Sequence, residues 1–377
     1  MGRRLVLTAL TAALTLAAVE LSSFLFFTLA RDRFEFAKPS QYVLPAERVR
    51  GLLAHGWYDA ELGWNSHYPT AHGERPRAKA PRGRVLLAAF GDSFVHGDEV
   101  EDAETWEEAL GARLGADILN FGVPGYGVDQ ALLFYRRKAR ELAAPIVTLG
   151  FPLGDLNRIV NCYRPFYLRR TGLPLTKPRF TLDGGALRLI ANPVTSAAQL
   201  ASLSDPAFIE RIGREDFWYA RKPQLGFPYA ALLFSRSLWG DALSKRSSSG
   251  EGEDRRQEAI WEDTAARALF FAILGAFVDE VSATGGRPVI ALMPDRSATK
   301  DLRQGRRDFA GYAETLRQCQ RQGWECFDGP AALAERTRGR PLQRYYMPGG
   351  HPSALANAEI AGAFAAWLQE RQLLPDR

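Results

Sequence analysis

The chain has 377 residues, 46% hydrophobic and 24% charged, with 34 glycines and 22 prolines. That is ordinary globular usage, and it excludes a mainly disordered chain, a coiled coil and a collagen-like repeat. A net charge of +5 is spread along the chain with no dense basic tract, so no nucleic-acid partner is expected, and three cysteines with five scattered histidines offer neither a disulfide framework nor metal-ligand spacing.

Residues 5–30 read LVLTALTAALTLAAVELSSFLFFTLA. About 20 apolar residues cross a bilayer, so this run is long enough to span one. Arg3 and Arg4 precede it, while Arg31 and Arg33 follow it beside Asp32 and Glu35. That balance favours an N-terminus in the cytoplasm and the bulk of the chain outside. The run is long for a cleaved signal peptide, and no small-x-small site precedes Glu20, so residues 1–30 read as an uncleaved anchor. Glu20 lies deep in the run, where an acidic side chain costs about 3 kcal/mol. Two accounts stay open: protonation or a shifted register, or a contact with another membrane protein.

Residues 31–83 read as a stalk and approach segment, rich in proline, arginine and aromatics and without helical period. From residue 84 short apolar runs alternate with amphipathic helices: Val85–Phe90, Ile118–Phe121, Ile146–Phe151, Val289–Met293 and a weaker one at Trp324–Phe327. Short apolar runs closed by Gly, Asp or Pro are what strands buried on both faces look like. Trp106, Leu110 and Leu114, and again Ile360, Phe364, Trp367 and Leu368, each make one apolar helical stripe. Alternation of this kind predicts a mostly parallel sheet covered on both faces.

Between the third and fourth strands comes an insertion at about 160–260. It holds a hairpin signal within Pro178–Pro193, aromatic helical pieces near Phe217–Tyr219 and Phe227–Leu238, and a polar loop at Ser247–Asp254. It reads equally as a lid or substrate platform and as plain scaffold.

Three local patterns carry chemistry. Gly91-Asp92-Ser93 directly follows the first strand, where a serine opening a helix points into the ligand crevice of an α/β sheet. Asn120-Phe121-Gly122-Val123-Pro124-Gly125-Tyr126-Gly127 follows the second, and its glycines let a backbone N–H approach a ligand. Gly349-Gly350-His351-Pro352-Ser353 leads into the last helix, and His351 is the only histidine after residue 96. A serine nucleophile needs a base, and imidazole suits neutral pH. His96, one turn after Ser93, is a rival base, and Asp92 reads as ordering the turn.

In this order the patterns resemble the SGNH/GDSL hydrolase superfamily: Gly91-Asp92-Ser93 as block one, Gly125 in block two, the stretch after the third strand as block three and His351 as block five. The resemblance covers about residues 84–370 apart from the insertion. Leu62-Gly63-Trp64 and the glycine string followed by Asp129-Gln130 look like a bacterial membrane-anchored branch. The resemblance implies a three-layer α/β/α sandwich of flavodoxin-like type and acyl-ester chemistry; separately, no ligand-spaced histidines and no Walker or dinucleotide glycine signature stand in the sequence, so no metal or cofactor is expected. Ser93 would be the nucleophile and His351 the base, with the Ser93 and Gly125 N–H groups holding an oxyanion.

Two departures stand out. The block-three asparagine slot falls on Gly154, with Asn157 as the alternative, and no carboxylate lies two or three residues before His351. Asp295 and Asp155 are the candidates for orienting His351, unless a backbone carbonyl does so. Three functions follow: an outward-facing esterase in a bacterial inner membrane, taking O-acyl groups from a carbohydrate or lipid; an acyltransferase modifying an exported or envelope polysaccharide; or a non-catalytic glycan-binding protein on a degenerate fold. Whether Cys319 and Cys326 pair, as an oxidising periplasm would allow, leaving Cys162 free, stays open at the level of sequence.

Overall fold

The computed structural model describes residues 2–34, 36–139, 141–142, 144–169, 171–235, 238–239, 260–309 and 311–375. The polar loop at Ser247–Asp254 lies outside them.

Five strands form the central sheet: β1 (Val85–Gly91), β2 (Asp117–Gly122), β3 (Ile146–Phe151), β4 (Arg287–Leu292) and β5 (Cys326–Asp328). They are the five expected runs, Ile146–Phe151 unchanged and the other four shifted by a residue or two at one end or both. The order is β2-β1-β3-β4-β5 and every pairing is parallel. Alternation along β1 splits the core into two layers. Leu87 and Ala89 face Trp106, Leu110, Ile360, Phe364 and Leu368 on one side. Ala88 and Phe90 face Phe134, Tyr135, Phe270, Ile273 and Phe277 on the other. These residues come from the helices Trp106–Leu114 and Ala354–Glu370, and from Val128–Lys138 and Thr264–Ala283. The result is a three-layer α/β/α sandwich with the flavodoxin-like strand order. In that order the chain leaves β1 toward one edge and β3 toward the other, which opens a crevice at their carboxyl ends.

The remaining segments build onto this sandwich. The hairpin forms from Arg179–Asp183 and Ala186–Ile190, antiparallel. Tyr42, Leu52, Leu62 and Trp64 of the approach segment are buried in the same core as the sheet's outer layer, so this segment packs along the domain. A disulfide joins Cys319, in the helix Tyr312–Gln322, to Cys326 on β5, and Cys162 is buried and free. The N-terminal helix Gly2–Leu29 is long and apolar enough to cross a membrane.

Candidate active site

The turn after β1 is built to present Ser93. Asp92 caps the short helix Ser93–His96, its Oδ1 accepting the Phe94 N–H at 2.9 Å. Its other oxygen accepts from Arg158 Nη1 at 2.8 Å, and the same guanidinium lies 2.6 Å from Asp155 and donates to the Tyr126 carbonyl. Asp92 is 0% exposed and fully committed to the turn. The β2 turn closes tightly against this helix: a Cβ at Gly122 would stand 2.1 Å from the His96 nitrogen, so only glycine fits.

Ser93 Oγ lies 2.9 Å from His351 Nε2. The imidazole comes from the opposite end of the sequence, on the turn before the last helix, where the Met347 N–H donates to the His351 carbonyl. Phe94 packs against its ring, with centroids 5.2 Å apart. Ser353 caps the following helix.

His351 Nδ1 meets Glu99, with Oε2 at 2.7 Å. A carboxylate can only accept here, so Nδ1 carries the proton and Nε2 is left to accept from Ser93 Oγ–H. The other Glu99 oxygen accepts the Gly349 N–H at 2.8 Å, latching the loop after the serine to the loop that carries the histidine. Burial would raise the Glu99 carboxyl, but the hydrogen bonds from His351 and Gly349 outweigh it and hold it below its ordinary value.

Neither expected acid reaches this position. Asp295 accepts the Ala298 N–H at 2.7 Å as the cap of the helix Arg296–Arg303. Asp155 is buried against Arg158, and burial pushes its carboxyl well above the usual range although Arg158 opposes this. Acids at the ends of β3 and β4 are consumed by a cap and an ion pair. The loop abutting His351 is the one that follows Ser93.

Glu99 was missed because its placement depends on backbone geometry. Its φ is +68°, a left-handed conformation rare for a side-chain-bearing residue. Arg75 holds that loop from the approach segment. Its Nη1 donates to the carbonyls of His96 (2.6 Å) and Gly97 (2.7 Å), its Nη2 to that of Val100 (2.8 Å), and its Nε to Asp102 (2.7 Å). The only sequence signal was the proximity of an acidic Asp98-Glu99 pair to the serine. His96 is occupied elsewhere: Asp98 lies on its Nδ1 at 2.5 Å and the Tyr68 hydroxyl on its Nε2 at 2.7 Å.

The groups expected to hold an oxyanion lie on three turns. The Ser93 N–H opens its helix, where no carbonyl of a preceding turn can take it. Gly125 has φ +80° and an N–H without a hydrogen-bond partner among the described residues. Its carbonyl accepts from Arg164 Nη1 at 3.0 Å, and that nitrogen lies 1.6 Å from where a Cβ would stand. Gly154 sits in the 3-10 turn Leu153–Asp155 and brings no side chain. Asn157, on the next turn, is buried; its Oδ1 is unpaired, its amide nitrogen has no partner among the described residues, and its carbonyl accepts from Trp218 Nε1 at 2.9 Å. The approach segment braces the Gly125 turn as well. Trp64 Nε1 donates to the Pro124 carbonyl at 2.9 Å, the Tyr126 hydroxyl donates back to the Trp64 carbonyl at 2.5 Å, and Gln130 donates to the Leu62 carbonyl at 2.7 Å. Asp129 pairs with the buried Lys177.

No group of three or more His, Cys, Asp or Glu suited to a metal ion occurs among the described residues. No family model and no curated protein matches the chain. Among solved structures it is similar to a protein of the lipolytic G-D-S-L family from Desulfitobacterium hafniense DCB-2, at 10% identity over 76% of this chain and 100% of the other, with a TM-score of 0.38. It is also similar to a G-D-S-L family member from Veillonella parvula DSM 2008, at 12% identity over 74% and 96% with a TM-score of 0.36. A catalytic mutant of an acetylxylan esterase from Geobacillus stearothermophilus matches at 12% identity over 79% and 100%, with a TM-score of 0.34.

Proposed function

We propose that this chain is a membrane-anchored, outward-facing serine esterase of SGNH/GDSL type that removes O-acyl groups from a carbohydrate or lipid. The observation that carries the reading is the hydrogen-bonded series from Ser93 through His351 to Glu99. Ser93 Oγ bonds to the ester carbonyl carbon while His351 Nε2 takes its proton. The carbonyl oxygen gains the electron pair and is held by the N–H groups of Ser93 and Gly125 and by the Asn157 amide, which has no other work among the described residues. The tetrahedral species collapses, the bond to the alcohol oxygen breaks, and His351 returns the proton to that oxygen. Water then repeats the cycle on the acyl-serine, releasing the acid and restoring Ser93. Glu99 keeps Nδ1 protonated and offsets the positive charge that forms on the ring.

The outward orientation rests on Arg3 and Arg4 before the apolar helix and on the Cys319–Cys326 disulfide, a bond that persists in oxidising compartments. A bacterial inner membrane with the domain in the periplasm fits both. The complete relay weighs against a binding protein on a degenerate fold. The full chain is expected to release acetate from a chromogenic ester without an acceptor and to take a fluorophosphonate label. Ser93→Ala should abolish both, since losing the nucleophile of such a relay costs on the order of 10⁶-fold in kcat. Release only in the presence of an oligosaccharide acceptor would identify a transferase, and an unlabelled wild type would leave only glycan binding.

A further inference from the structure

The acidic residue in the anchor helix is satisfied within the chain. Glu20 Oε2 accepts the Tyr229 N–H at 2.7 Å and Oε1 accepts the Ala230 N–H at 3.2 Å. These N–H groups belong to the 3-10 helix Tyr229–Phe234, contributed by the insertion. The contact extends beyond this pair. Tyr229 packs edge-on to Phe24 at 5.0 Å, and Trp239 packs on Phe34 at 5.4 Å. Phe27, Phe34, Phe36, Leu232 and Leu238 form a separate buried cluster. The Ala37 N–H donates to the Pro223 carbonyl at 3.0 Å, tying the chain leaving the anchor to the start of the same segment.

Two aromatic rings of this segment are left exposed by the described residues. Phe227 is 81% exposed and Phe234 84%. Its level along the anchor follows from helix geometry. About 20 residues cross the hydrocarbon, a count that from Leu5 ends near Phe24, the residue Tyr229 touches. The segment therefore lies level with the outer hydrocarbon–headgroup boundary, where aromatic side chains collect. A water-soluble surface rarely carries two such rings beside an apolar helix.

We infer that residues 225–235 form a second membrane-embedded element, docked on the anchor through Glu20 and sinking Phe227 and Phe234 into the outer leaflet. This rests on the membrane-anchored reading and adds to it. The segment and the packed approach residues hold the domain at a fixed attitude to the bilayer, so the crevice samples a narrow band near the lipid surface. Glu20 then serves this internal dock and needs no second membrane protein.

The test uses the full chain in vesicles of phosphatidylethanolamine and phosphatidylglycerol. Phe227→Cys and Phe234→Cys are each labelled with an environment-sensitive fluorophore, the buried Cys162 being left unlabelled. Glu370→Cys, at the end of the C-terminal helix, is the aqueous control. Both labels at the dock should emit to the blue of the control, resist iodide, and be quenched most by lipids with a nitroxide high on the acyl chain. Glu20→Leu should return both labels toward the control. Emission and iodide access equal to the control at both positions overturns the inference. Carbonate extraction separates the two readings. A chain that stays with the vesicles but carries wet labels overturns only the embedded segment, and a chain that is extracted overturns the anchor and the segment together.

Discussion

Two imidazoles in this chain make the same pair of contacts in different surroundings. His351 has a carboxylate on Nδ1 and the Ser93 hydroxyl on Nε2, at 2.7 and 2.9 Å. His96 has Asp98 and the Tyr68 hydroxyl in the same places, at 2.5 and 2.7 Å. By distance alone the second relay is the tighter. The hydroxyls differ in what surrounds them. Ser93 opens a helix at the carboxyl end of a parallel strand, and its N–H and that of Gly125 have no hydrogen-bond partner among the described residues. Tyr68 lies in a loop, stacked on the His96 ring, and burial raises its hydroxyl above the ordinary phenol value. A relay can deliver a proton in either place. The proposed reaction asks for more than a relay, because an oxyanion formed at Ser93 would need those N–H groups to hold its charge.

The comparison breaks most sharply at the carboxylates. Glu99→Gln keeps the shape of the His351 relay but removes its charge, and kcat is expected to fall about ten-thousandfold, the order seen when such a carboxylate is lost. Asp98→Asn, the same change in the other relay, should leave kcat within about threefold, measured on the same chromogenic ester. Glu99 also links activity to stability. Its folded value lies below its ordinary one, so the fold favours the ionised form. The stability it contributes is present above the ordinary carboxylate range and is lost as pH falls through the depressed value. The gap in Tm between wild type and Glu99→Gln should therefore be widest near neutrality and close in acid.

Arg75 sharpens the comparison because it holds the His96 carbonyl of one relay and the carbonyls of Gly97 and Val100, which flank Glu99 of the other. It donates to carbonyls from His96 to Val100 and so sets the loop on which Glu99 stands. Arg75→Met should displace that carboxylate, and a displacement near 1 Å costs about a hundredfold. Combined with Glu99→Gln it should add little further loss of kcat, as expected for two residues acting through one interaction. Full additivity in the double variant would show that Arg75 acts some other way. On the oxyanion side, Asn157→Ala should lower kcat by about a hundredfold with KM little changed, the signature of a donor used mainly in the transition state.

The two relays were also unequally legible. The five strands stood out because strands buried on both faces leave unbroken apolar runs, Ser93 because Gly-Asp-Ser directly follows the first of them, and His351 because histidine is scarce in the chain. Strand ends were read less well: Arg287 begins β4, two residues before the apolar run that announced it, since β-pairing extends past the buried core. Glu99 was illegible for a physical reason. It reaches His351 through a left-handed backbone and a clamp from Arg75, and neither leaves a periodic trace. Asp155 and Asp295 occupied the positions where an acid was expected, yet a cap and an ion pair are as good a use for a strand-end carboxylate. The approach segment read as a stalk without helical period, yet Ala46–His55 is a helix that buries Val49 and Leu52, and the rest of its burial depends on single aromatics such as Tyr42 and Trp64 meeting a core formed far away in sequence.

The smallest expected effect is at Tyr68. Tyr68→Phe removes the hydroxyl from His96 Nε2 and keeps the ring stacked on the imidazole. If the second relay only ties the approach segment to the loop after Ser93, kcat and KM on a small ester should stay within about twofold, and Tm should drop by a few degrees for one lost hydrogen bond, worth about 1 kcal/mol. A large loss of kcat with Tm unchanged would overturn this division of labour and put the Tyr68 hydroxyl in the chemistry. His96→Asn is the companion measurement. It removes the imidazole that links Tyr68 to Asp98, and it should lower Tm further than Tyr68→Phe while leaving the pH dependence of kcat unchanged.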